Sequence, residues 1–309
     1  MIKTAALLTV FLSLFSGRTG HAEEAHKLKV LASIYPLMEF SQAVAGEAAE
    51  VHLLIPPGAE VHTWQPRPSD VLKLAQADIF VIAGQNLEPW ANDLIKGAGN
   101  ERLRIFEAAS VLDMPADKSE TEKNKSQKKH KGMDPHIWLD LGIDTLIVDK
   151  LADLFSSLRP DKSVNFRGNA ADYKKKLIEL DERFRSRLKK CRIKTLVIAG
   201  HAAFGYLAGR YGLEQVSVYG LSPNAEPTPT HLIKITQWIR EKGIQTVFFE
   251  VAVGDRMAKT LARETGVRML VLNPGANLSR REFKEGESFL RLMENNLENI
   301  CLGLNCPKK

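Results

Sequence analysis

Beyond its first residues this chain has no apolar run approaching the roughly 20 residues that a membrane-spanning helix needs. No repeat of solenoid period is present, and no HExxH helix signals a metalloprotease. Cysteine is scarce: Cys191, Cys301 and Cys306 are the full set, too few for the dense disulfide framework of small secreted domains. Concentrated positive charge is missing as well. The formal net charge is +6 over 309 residues, but Lys3 and Arg18 account for two charges and residues 116–132 for three more, leaving about +1 elsewhere. A basic loop of this kind is not a nucleic-acid groove, so no nucleic-acid partner is expected.

The chain has the 44% hydrophobic and 26% charged content of a soluble globular protein. It opens with Lys3, an apolar stretch from Ala5 to Phe15, and Gly20-His21-Ala22, small residues where a signal peptidase reads. Residues 1–22 are therefore expected to be a signal peptide cleaved after Ala22. No cysteine follows the apolar stretch to accept a lipid, so the mature protein is expected in the periplasm, monomeric and not lipid-anchored. In that oxidising compartment one cysteine pair is expected to be bridged; Cys301 and Cys306 are spaced for a small loop, though spacing alone does not set connectivity.

Apolar runs alternate with helical patterns. Short strands are expected at 28–34, 51–55, 78–83 and 103–106, with helices at 37–45, 69–77 and 87–96. Residues 116–132, rich in lysine and devoid of large apolar side chains, read as a mobile loop. Helical periodicity returns at 143–158 and over a long, charged stretch at 164–190, and the style of the first half then repeats up to a closing helix at 283–300. The expected architecture is α/β. An N-terminal lobe at 27–142 and a C-terminal lobe at 193–309, each a mainly parallel sheet flanked by helices, are joined by a helical linker at 143–192.

Three histidines stand in ordered loop contexts: His62 after Pro56-Pro57-Gly58, His136 within Met133-Asp134-Pro135-His136-Ile137-Trp138-Leu139-Asp140, and His201 after the apolar run 195–199. In an open parallel sheet, ligands gather beyond the carboxyl ends of the strands. Three neutral imidazoles suit zinc, whereas manganese sites draw more on carboxylate oxygen. His62, His136 and His201 are thus expected to share one Zn2+, with Mn2+ less favoured. Protons compete for imidazole near its ordinary pKa of about 6.5, so affinity is expected to fall as pH drops through that region.

The segments around these histidines are more specific than the histidines themselves. Gly58 to Pro66, Asp134 to Asp140, and Gly200 to Tyr206 with Tyr211-Gly212-Leu213 resemble, in order, motifs of the periplasmic solute-binding proteins of bacterial zinc and manganese ABC importers (metal-binding cluster 9 family). Leu221-Ser222-Pro223 to Glu226-Pro227-Thr228-Pro229, Val247 to Glu250 and Leu272-Asn273-Pro274-Gly275 continue the resemblance, which spans about Leu28 to Ile300. It implies two α/β lobes joined by one long helix, a divalent metal held between them, and delivery to a membrane permease. It also places His62, His136 and His201 on the first three ligand positions, and histidine at the third is similar to the zinc-type members. The fourth position departs from the family, with Asn273 where many members have aspartate; Asn273, Glu60 or water are the candidates there. Glu250 reads as a supporting residue at a strand end.

Other functions share some of these features. A zinc-dependent hydrolase also uses three histidines and an open fourth position, but no general base is recognisable beside them. A metal-binding adhesin or metallochaperone would use the lysine-rich run or the metal site without an importer.

Overall fold

The computed structural model describes residues 27–113, 134–221, 228–250 and 255–307. The expected signal peptide 1–22, the lysine-rich run 116–132 and residues 222–227 of the proline-containing motif lie outside the described residues.

Leu28–Ala32 (β1) and Ile79–Ile82 (β3) are almost wholly apolar and buried, as the central strands of a parallel sheet covered on both faces must be. Ala49–Leu53 (β2) and Arg104–Glu107 (β4) flank them, giving the all-parallel order β2-β1-β3-β4. In the second half Thr195–Ile198 (β5), Glu214–Ser217 (β6), Thr246–Phe249 (β7) and Arg268–Val271 (β8) form another parallel sheet, β6-β5-β7-β8. The strand order is the same in both, so the switch points lie between β1 and β3 and between β5 and β7.

The first sheet is followed through Tyr35–Ala45 (α1), Pro68–Ala75 (α2) and Ala91–Ala98 (α3). Pro36 does not delay α1, as expected from sequence, but sits in its first turn, where a missing N–H is harmless. Leu141–Leu158 (α4) and Ser163–Leu188 (α5) follow. At 26 residues α5 extends roughly 39 Å. Its buried residues Phe166, Ala170, Tyr173, Leu177, Leu180, Phe184 and Leu188 recur every three or four positions, and they pack it on α4 and α1 as well as on the chain's last helix. Gly205–Arg210 (α6), Pro229–Glu241 (α7) and Arg256–Thr265 (α8) alternate with the strands of the second sheet. Among the described residues no helix is long and apolar enough to cross a membrane.

The closing helix expected at 283–300 is two helices, Arg280–Lys284 (α9) and Phe289–Gly303 (α10). Gly286 has φ +70°, which ends the first, and the Ser288 side chain accepts from Arg291 N at 3.2 Å to start the second. The loop expected between Cys301 and Cys306 also yields to a longer link: Cys306 is bonded to Cys191, 115 residues away, and Cys301 is a buried free thiol. Packing of α10 along α5 brings the tail to Cys191, a proximity that local spacing does not encode.

Glu39 joins three helices from both halves of the chain. It accepts from Tyr35 Oη at 2.7 Å, Tyr173 Oη at 2.7 Å and Phe289 N at 2.6 Å.

Candidate metal centre

Each of the three histidines is delivered by a different loop. Pro56 and Pro57 end the segment after β2, and Asn277 Nδ2 donates to Pro56 O and Ala59 O, both at 2.9 Å, tying the His62 loop to the second half of the chain. His136 precedes a short 3-10 turn, Ile137–Leu139. There Trp138 is fully buried and donates its Nε1–H to Pro274 O at 2.7 Å, while Asp140 caps α4 by accepting from Gly142 N at 2.8 Å. His201 lies just beyond β5, at the second sheet's switch point, and Ala202 N donates to Gly220 O at 2.8 Å to hold that turn.

The three rings converge. His136 Nε2 lies 3.3 Å from His62 Nε2 and 3.2 Å from His201 Nε2, and the ring centroids are 5.1–5.2 Å apart. His136 and His201 are buried at 1% and 3% exposure, and His62 is half-buried. His52 and His231, by contrast, are exposed on β2 and α7.

Two carboxylates face the opposite edges of these rings. Asp134 Oδ1 accepts from His136 N at 3.0 Å and lies 2.7 Å from His136 Nδ1. Glu250, at the end of β7, places Oε1 2.7 Å from His201 Nδ1, a contact of ion-pair length rather than an aligned hydrogen bond. With a proton held at Nδ1, each Nε2 keeps its lone pair for the shared centre. Glycine makes both approaches possible. A Cβ at Gly205 would meet Asp134 Oδ2 at 2.6 Å, and one at Gly200 would meet Glu250 Oε1 at 2.9 Å.

Lone pairs from three imidazoles meeting at 3.2–3.3 Å repel one another unless a cation lies between them. A tetrahedral ion bound at about 2.0–2.1 Å from each nitrogen separates its ligand nitrogens by about 3.3 Å. His136 Nε2 therefore already stands at the spacing such an ion requires from each of the other two, and all three donors lie within 4.8 Å of one another. The triad opens on a cavity of about 260 Å³ that Glu60, Asn273 and Glu282 also line. Asn273 Oδ1 accepts from Gly275 N at 2.9 Å, and its backbone N and O are both held by Asn296, at 2.9 and 2.7 Å. Glu60 Oε2 accepts from Thr63 N at 3.0 Å.

Burial, reinforced by the neighbouring His136 and His201, pushes the His62 pKa down to about 3, and burial lowers that of His136 against the pull of Asp134. The unfolded chain protonates His62 near 6.5 and the metal-free fold only near 3. The stability tied to its neutral form is therefore complete above 6.5 and is lost as pH falls from there toward 3. Thermal melts of metal-free protein should show this decline, and proton competition with metal at His62 should begin below the pH expected from sequence. A metal-free melting curve that is flat from pH 6.5 to 4 would contradict the assignment. Asp134→Asn, which offers His136 Nδ1 a weaker acceptor, is expected to reduce metal affinity by about 10–100-fold in a chelator competition.

Similarity to known proteins follows the same path through the chain. The family described as "ZnuA: Zinc-uptake complex component A periplasmic" matches residues 30–301. The chain belongs to that family. The ZnuA protein of the Bacillus subtilis high-affinity zinc uptake system is 32% identical over 289 residues, covering 92% of this chain and 90% of its own length. The zinc-binding lipoprotein AdcA of Streptococcus pneumoniae is 35% identical over 304 residues, covering 97% of this chain. The chain spans 60% of the length of the AdcA relatives it matches. The solved Zn(II)-bound ZnuA-like domain of Streptococcus pneumoniae AdcA has a TM-score of 0.76 and 34% identity, with 91% of this chain and 100% of that domain covered. The two-lobe α/β fold is thus the ZnuA-like fold.

Asp134 and Gly205 were not assigned roles from sequence. An acid two residues before a histidine across a proline is the local signal for the first, because it folds back on both His136 N and Nδ1; the second has none, since its partner is 71 positions away.

Proposed function

We propose that this chain captures Zn2+ on the extracytoplasmic side of the membrane and delivers it to the permease of an ABC importer. The observation that supports this best is the convergence of three Nε2 atoms at 3.2–3.3 Å, with a carboxylate facing Nδ1 in two of the rings. His62, His136 and His201 are the ligands in this reading, and residues 27–142 and 193–309 are the lobes joined by 143–192. Relatives named for zinc uptake and zinc binding support the choice of metal. The family description supports a periplasmic setting, and because one relative is named a lipoprotein we do not propose an unanchored chain. Transport rather than hydrolysis is supported by Asp134 and Glu250, which face Nδ1 atoms of two of the rings and so are not placed to take a proton from bound water.

For the fourth position we propose an exchangeable water or small anion, since the Asn273 amide oxygen is engaged by Gly275 N. Asn273→Asp keeps one oxygen for that bond and adds an anionic oxygen to the cavity wall. Tighter zinc binding, and a larger relative gain for manganese, is expected from paired titrations; equal affinities in mutant and wild type would place residue 273 outside the metal's reach. The function itself is tested by zinc-limited growth and zinc uptake in a strain lacking this chain. Wild type should restore both, and His62→Ala should not; restoration by His62→Ala would overturn the reading.

A further inference from the structure

Outside the histidine centre, three sulfur atoms gather where α5 meets the end of α10. Cys191 follows α5, Cys301 lies in the last turn of α10 and Cys306 follows it; their sulfurs all lie within 4.8 Å of one another. Cys191 and Cys306 are bridged, and Cys301 stands beside the bridge as a buried free thiol.

The cluster does not depend on the bridge for its proximity. Cys306 N donates to Cys301 O at 2.9 Å, Ile193 N to Leu304 O at 3.3 Å, and Asn305 Nδ2 to Gln245 Oε1 at 2.9 Å. Arg183 pairs with Glu294 and Arg187 with Glu298 along the same α5–α10 seam. These contacts hold the three cysteine positions together when the sulfur–sulfur bond opens. Burial raises the Cys301 pKa, and the nearby positive charge of Arg187 offsets part of that rise. Zinc–sulfur bonds of about 2.3 Å in a tetrahedral site put sulfurs about 3.8 Å apart, within the span observed.

We propose that Cys191, Cys301 and Cys306 form a second metal site, a tris-thiolate for a thiophilic d10 ion such as Zn2+, that opens when the Cys191–Cys306 bond is reduced. A dithiol reductant gives two electrons and two protons to the bridge and leaves as its own disulfide. The ion then replaces the protons of the three thiols, which pass to solvent. Three soft sulfur donors select for zinc or cuprous ions over manganese or magnesium. The oxidised chain carries metal only at its histidines; the reduced chain has two sites of different chemistry.

Cobalt(II) titration of the full chain tests this, with and without prior treatment by a phosphine reductant under anaerobic conditions. The oxidised protein should bind one ion without sulfur character. The reduced protein should bind two, the second giving the intense near-ultraviolet band of sulfur-to-cobalt charge transfer. In reduced Cys301→Ser, which keeps the native bridge while it folds, that band should collapse and one-ion binding at the histidines remain. In reduced His136→Ala the band should persist. A reduced wild type that binds one ion, a second ion lacking the sulfur band, or a band that survives Cys301→Ser would each overturn the proposal.

Discussion

His136→Ala is expected to weaken zinc binding by at least about a hundredfold, beyond the roughly 10–100-fold that changes to outer-shell partners bring. His136 is the member of the triad whose Nε2 stands close to both others, 3.3 Å from His62 and 3.2 Å from His201. It is also the most buried of the three, at 1% exposure, so water replaces it poorly. The substitution leaves Asp134, itself at 5% exposure, without the imidazole it orients. Because that orphaned carboxylate adds a folding effect, His62→Ala is the companion variant: it removes a half-buried imidazole whose Nε2 faces that of His136. Both should lose binding in a chelator competition at one pH, and His231→Ala, altering an exposed residue of α7, should not. Equal losses from all three would remove the distinction on which the triad rests.

Arg210→Met is expected to lower stability by about 3 kcal/mol, the range found when one partner of a buried ion pair is removed. Arg210 belongs to α6, nine residues after His201, and its guanidinium reaches two other helices. Nη1 lies 2.7 Å from Asp140, the cap of α4, while Nε and Nη2 meet the two oxygens of Asp181 on α5 at 2.7 and 2.8 Å. Burial pushes the Asp140 pKa up and Arg210 draws it back; burial opposes Asp181 as well, but hydrogen bonds and charge from Arg210 hold it below the usual carboxylate value. Methionine fills similar volume but leaves Asp140 buried with only backbone donors, beside Asp144, whose pKa burial raises well above the usual carboxylate value. A fall in melting temperature on the order of 10 °C is expected. Arg210→Lys should recover only part of it, because one ammonium cannot serve Asp140 and both oxygens of Asp181. Arg263→Met, breaking an exposed 3.8 Å pair with Glu264, should leave the melting temperature unchanged. An Arg210→Met melt equal to wild type would show that the α4–α5–α6 junction is held by packing alone.

The alternation of strands and helices was legible because both sheets are parallel, and parallel strands carry near-continuous apolar runs such as Ile79–Ile82. The three histidines were legible because each sits on a loop beside proline or at a strand end, where side chains point into the crevice. Boundaries were less so. Pro36 reads as a stop but serves as a helix start, and Gly286 with Ser288 divides a run whose apolar spacing looks continuous. Contacts between distant residues left no local trace. Cys301 and Cys306 invite pairing by their spacing, yet Cys191 is the partner of Cys306. Arg210 meets Asp140 and Asp181 across 70 and 29 positions, and no periodicity encodes that junction. At Asn273 the sequence leaves the fourth position open among Asn273, Glu60 and water, and the bond from Gly275 N to its amide oxygen appears only in the folded turn. The downward shift at His62 likewise arises from burial and from His136 and His201, which come together only in the fold.

The most direct measurement of the central claim is a crystal structure of the zinc-loaded chain with anomalous data collected across the zinc absorption edge. One strong anomalous peak is expected in the cavity shared by His62, His136 and His201, about 2.0–2.1 Å from each Nε2, with Nδ1 of His136 and His201 still facing Asp134 and Glu250. Zinc bound elsewhere, or bound at this cavity through a set that excludes any one of the three histidines, would contradict the account.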